Sequence, residues 1–123
     1  HQHVQARLVW RALMAGMLIA SAASFAIFLS HDLAGATLAR MAHNIGEAVI
    51  SICFGFLIGT TFSAERVGGA NGVMNLISGA GMTAAAFAAG ALMGFGVGVP
   101  YLLVGGLFLV GAVISWLAQR WVR

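Results

Sequence analysis

Five polar side chains, Arg40, His43, Asn44, Glu47 and Ser51, stand three and four residues apart within an otherwise apolar run. On a helix these intervals bring all five onto one face. The opposite face, formed by Ile45, Ala48, Val49, Ile52 and Phe56, is apolar throughout, and residues 48–62 carry no charge. The chemistry on offer is proton chemistry: imidazole titrates close to physiological pH, and a carboxylate four residues on is near enough to share its proton. A carboxylate inside a bilayer helix costs roughly 2.5–3.5 kcal/mol on insertion scales unless it is paired or wetted. Glu47 is therefore the leading candidate for proton or substrate coupling, with His43, Arg40 and Asn44 beside it. The alternative is a structural one, in which Glu47 pairs with His43 or Arg40 near the outer interface.

The elements that must carry this stripe follow from composition. Of 123 residues, 61% are hydrophobic and 7% are charged, against about 25% charged in a soluble domain. A water-facing surface cannot be built from such a chain, so we expect an all-α integral membrane protein. Roughly 20 residues cross a hydrocarbon core, and four runs are long enough: about 8–29, 34–62, 70–95 and 100–117. Period-two alternation is absent, which excludes barrel strands. The four helices form a single transmembrane region over residues 1–123.

The first helix is flanked by Arg7 and Arg11, with Trp10 at headgroup level. Its other polar groups are Ser21 and Ser24, each able to bond a carbonyl one turn back, and most of it is expected to face lipid. Asp32 can cap the second helix. Residues 63–69, SAERVGG, are expected as a loop. The third helix carries a polar stripe, Asn71, Asn75, Ser78 and Met82, and a small-residue stripe, Gly79, Thr83, Ala86, Gly90 and Gly94. The small stripe, with Gly55 and Gly59 on the second helix, is expected to bring helices two and three together. Asn71 and Asn75 either contact substrate or bond between helices, and Asn71 can equally belong to the loop; Ser78 extends the same stripe. Pro100 opens the fourth helix, where a missing N–H does no harm, and Trp116, Arg120, Trp121 and Arg123 anchor its exit.

The net charge of +3 comes from six arginines and no lysine. They lie at helix ends, where topology accounts for them, so no nucleic-acid partner is expected. Arg7, Arg11, Arg66, Arg120 and Arg123 fall on one side and only Arg40 on the other, which puts both termini in the cytoplasm. Cys53 is alone, so there is no disulfide framework and no metal cluster; a small buried thiol is the simpler reading. HQHVQAR lacks the features of a signal peptide, and a start at His1 rather than Met is taken as a shortened or processed N-terminus. No nucleophile–base pair or phosphate loop is present, so neither an enzyme nor a cofactor is expected.

The run Glu65-Arg66-Val67-Gly68-Gly69-Ala70-Asn71-Gly72-Val73-Met74-Asn75-Leu76 resembles a stretch of the major facilitator superfamily. Many members have an acidic–Arg–x–Gly–x–x–x–Gly–x–x–Asn pattern between their tenth and eleventh helices, followed by a Gly-rich helix and one begun by Pro. Gly69 replaces a second basic residue common there, and Gly81-Met82 stands where a Gly-Pro step is common. The resemblance implies that the chain is the ninth to twelfth helices, one third of a bacterial inner-membrane secondary transporter of about twelve. It implies peripheral first and fourth helices here, with the second and third lining a central cavity. It also implies a small-molecule substrate, partner helices supplied from elsewhere, and a gating or anchoring role for Glu65, Arg66, Gly68 and Gly72. Without it, Glu65 and Arg66 form a solvated turn. Two other classes stay open. One is a four-helix dimeric antiporter, against which Glu47 lies in the second helix rather than the first. The other is a non-transporting membrane subunit, in which His31 or His43 could ligate a pigment or haem metal. His1 and His3 have no chemical assignment.

Overall fold

The computed structural model describes residues 2–121, with side chains over 7–119. Four long helices follow one another: α1 (Gln2–Leu29), α2 (Leu33–Thr61), α3 (Ala64–Leu92) and α4 (Val99–Trp121). All four are long and apolar enough to cross a membrane. The side chains of His1, His3, Arg120, Trp121 and Arg123 lie outside those described.

Local chemistry sets the boundaries. Asp32 is the N-cap of α2, and its Oδ1 accepts from the Gly35 N–H at 2.7 Å. Residues 64–69, expected as loop, are instead the first turns of α3. Ser63 sits extended at its N-cap and Glu65 lies in the first turn, where a carboxylate suits the positive end of the helix dipole. The connection between α2 and α3 is thus only Phe62 and Ser63. A single 3-10 turn, Met93–Phe95, ends α3, and Gly96 follows at φ 139. That conformation is costly for any residue with a Cβ.

The helix expected to face lipid is the one most enclosed. α1 lies between α2 and α4, and a third of its most apolar stretch is buried, against none for α3. Small residues explain this. A Cβ placed on Gly46 of α2 would lie 2.7 Å from the Gly16 carbonyl oxygen and 2.8 Å from the Ala20 nitrogen. At Gly16, a Cβ would meet the Gly46 carbonyl at 3.0 Å and the Ile50 side chain at 3.1 Å. Backbones that close need glycine on both sides, the arrangement by which apolar helices gain dispersion contact in lipid.

The α1–α4 seam is built differently, from a seven-residue spacing that begins in the turn before α4 and continues along it. Gly98, Gly105 and Ala112 are spaced by seven, as are Tyr101, Phe108 and Ser115. Phe28 of α1 lies over Gly98, Phe25 over Gly105 and Met17 over Gly111. Ser21 does not bond one turn back; its Oγ donates across the seam to the Gly105 carbonyl at 2.8 Å. Ser24 does bond one turn back, to the Ala20 carbonyl at 2.8 Å. Ser21→Ala should lower unfolding stability by about 0.6 kcal/mol, the average measured for polar contacts between membrane helices, and by no more than about 1.7 kcal/mol. The loss stays small because the Gly105 carbonyl keeps its place in the α4 ladder. Thermal unfolding in a mild detergent reads the shift.

α3 stands apart, contrary to the expected meeting of helices two and three. Gly55 and Gly59 on α2, and Gly79 and Gly90 on α3, have nothing within 4 Å of an added Cβ. Leu76, Met82 and Phe87 are each more than 70% exposed. Two open clefts result. One of ≈ 590 Å³ lies at the α2–α3 corner, lined by Ile58, Phe62, Arg66 and Val73 among others. The other, of ≈ 270 Å³, lies between α3 and α4 around Ala85, Pro100 and Leu103.

Candidate functional site

The expected polar stripe of α2 does not face one way. His43 turns inward and is 3% exposed, while Arg40, Asn44, Glu47 and Ser51 point away from the α1 seam. The buried line on α2 runs through His43, Gly46 and Cys53, spaced three and seven. Ile45 and Ile52, from the face expected to be apolar, are exposed. Within this chain the outward side of α2 therefore carries both polar and apolar residues.

His43 is held from three helices. Its Nδ1 lies 3.1 Å from Ser24 Oγ and 3.2 Å from the Ala20 carbonyl oxygen, both on α1. Its Nε2 lies 3.4 Å from Glu47 Oε1, one turn on along α2. Phe108 of α4 meets the imidazole edge-on, with ring centroids 5.6 Å apart at 76°. Gly46 makes this possible: with no side chain there, α2 comes close enough to α1 for the ring to reach Ala20 and Ser24. Both ring nitrogens thus have a polar neighbour within the chain. Among the described residues no three of His, Cys, Asp and Glu gather as metal ligands.

Glu47 is the outer member of the pair, with its side chain 51% exposed against 4% for His43. It is the fifteenth of the 29 residues of α2, about 21 Å from either end of the helix at 1.5 Å per residue. This is the middle of the helix. Arg40 makes no ion pair with it; the pairing present is with His43. Cys53 is a buried free thiol nearly two turns further on.

The remaining candidates are scattered. Asn75 and Ser78 are exposed on α3, which has no buried residue among those described. Glu65 and Arg66 sit in the first turn of α3 beside the wider cleft, and Gly68 and Gly72 have nothing within 4 Å of an added Cβ. Residues that sequence reasoning did not connect to the site are Ala20, Gly46 and Phe108, together with Ser24 as a partner of His43. Gly16, Ala20 and Ser24, small residues at fours on α1, were the available signal. Comparison with family models, curated proteins and solved structures gave no match.

Proposed function

We propose that this chain is the last four helices of a secondary active transporter of the major-facilitator kind. It moves a small solute by alternating access, and His43 and Glu47 couple the movement to protons. The observation that carries this is the pair itself. A buried imidazole faces a half-exposed carboxylate at 3.4 Å, halfway along an apolar helix of 29 residues. An ionisable pair at that depth is expensive unless it serves a proton or ion path. α3 supports the same reading, because Asn75 and Ser78 lie on a helix that needs further helices, or water, beside it. Those helices come from the rest of the transporter, with Glu65, Arg66, Gly68 and Gly72 anchoring the turn into α3.

The naked α3 also suits a second reading, a non-transporting subunit whose partner chain covers that helix. Flux separates the two. In the whole protein reconstituted into liposomes, solutes are screened for accumulation driven by an imposed proton gradient. Glu47→Gln should abolish uphill accumulation and leave solute exchange largely intact, since the amide keeps shape while losing the titrating group. A Glu47→Gln protein that still concentrates solute along the gradient removes Glu47 from the mechanism.

On this reading both termini lie in the cytoplasm of a bacterial inner membrane, an orientation that the arginine distribution supports. A single cysteine at position 66, on a background with Cys53 replaced, should react with a membrane-impermeant thiol reagent only from the cytoplasmic side. Labelling from outside alone inverts the topology.

A further inference from the structure

We propose that the cleft at the α2–α3 corner holds one acyl chain of a phospholipid, with the phosphate on Arg66 and a primary ammonium of the headgroup facing Glu65. Those are the charges of phosphatidylethanolamine. The site is separate from the polar face of α2 and does not depend on the transport reading.

The shape suits a lipid chain. α2 ends at Thr61 and α3 begins at Ala64, so the helices turn sharply and then stand apart. The hollow between them measures ≈ 590 Å³, within the range of small-molecule pockets. Ile58 and Phe62 wall it at the end of α2, and Val73 and Met74 wall it on α3. Gly69 also lines it, and a Cβ there would meet nothing within 4 Å. The chain thus leaves this space unfilled. From Arg66 to Met74 is about 12 Å at 1.5 Å per residue, against about 15 Å for half of the hydrocarbon thickness. An apolar cleft that opens at the end of two spans and runs about one leaflet deep lies as an acyl chain lies.

Charge is confined to the mouth. Glu65 and Arg66 are the ionisable residues that line the cleft, and both are exposed. Neither side chain has an ion pair or hydrogen bond among the described residues. A guanidinium can place two N–H groups on two phosphate oxygens, so Arg66 takes the group that all phospholipids share.

Glu65 then decides among headgroups. Phosphatidylglycerol adds no cation, which leaves the carboxylate beside an anion. Phosphatidylcholine adds a cation without N–H, so Glu65 gains attraction but no hydrogen bond. Phosphatidylethanolamine adds a cation with three donors, and its two charges complement Arg66 and Glu65 in turn. A helix from a partner would cover the same walls, but an apolar one leaves both charges at the mouth unpaired.

The test is native mass spectrometry of the whole protein in a mild detergent. Phosphatidylethanolamine, phosphatidylglycerol and phosphatidylcholine with the same acyl chains are supplied in equal amounts. The first should be retained about fivefold over the other two, the upper end of what an exposed ion pair contributes. Glu65→Gln should abolish its preference over phosphatidylglycerol. Arg66→Gln should weaken all three lipids together. Gly69→Leu, which puts a side chain into the cleft, should also weaken all three and leave their order unchanged. Equal retention of the three lipids by the unaltered protein, or no retention, overturns the proposal. So does phosphatidylglycerol held most tightly, which would make the mouth a site for anions alone. Retention unmoved by all three substitutions puts the lipid elsewhere and gives the cleft to a partner helix. None of these readings uses solute or a gradient, so the transport proposal stands or falls separately.

Discussion

Gly46→Val should separate α1 from α2 and cost ~3 kcal/mol, the upper part of the range for overpacking a close seam. An added Cβ falls 2.7 Å from one backbone atom and 2.8 Å from another. Neither can swing aside as a flexible side chain would, so the helices themselves must part. Parting them lifts His43 from Ser24 and Ala20, and the proposed coupling should be lost together with the stability. Gly55→Val is the control on the same helix, with the same change in helix propensity and nothing within 4 Å of the new atom. Away from contacts such a substitution stays within about 0.5 kcal/mol. Thermal unfolding of both variants in lipid reads the difference; equal losses would mean that Gly55 also faces a neighbour, one this chain does not contain.

The contrast between Gly46 and Gly55 also explains what could be read from the sequence. The four helices were legible, because long apolar runs with so little charge have no other stable form. The pairing of His43 with Glu47 was legible too, since a spacing of four is enough to bring them together on any helix. Which face turns inward was not. With 17 glycines in the chain, every helix offers a small-residue line, and composition cannot say which line has a partner. The longest line, on α3, has none among the described residues, while the short Gly16-Ala20-Ser24 line on α1 makes the tightest contact.

The start of α3 was missed for a related reason. Gly68 and Gly69 read as loop residues beside Glu65 and Arg66, yet Ser63 followed by Glu65 is also a helix-start signal. Glycine is common within membrane helices, and its weight as a breaker is correspondingly lower there. The seven-residue spacing of Gly98, Gly105 and Ala112 into α4 is plain in the sequence, but it gains meaning only against the large side chains Phe25 and Phe28 that lie over Gly105 and Gly98.

His43→Leu should leave the fold within about 1 kcal/mol of the unaltered protein while removing the coupling proposed for the pair. Leucine is close to histidine in volume, and volume-conserving changes are the best tolerated in a packed interior. The substitution also strands no polar atom on α1: the Ser24 hydroxyl keeps its bond to the Ala20 carbonyl at 2.8 Å, so both stay satisfied without the ring. Phe108 gains an aliphatic neighbour in place of an imidazole edge. Glu47 loses its only ion-pair contact among the described residues, but its half-exposed side chain can turn outward. A histidine kept for stability would behave differently, because deleting a buried polar group that others depend on costs the desolvation of each orphan, about 1–3 kcal/mol apiece. Unfolding measurements and gradient-driven flux, taken on the same preparation, separate the cases. A stable His43→Leu protein with no proton coupling assigns the ring to function; a loss of several kcal/mol would make it a structural tie between α1 and α2.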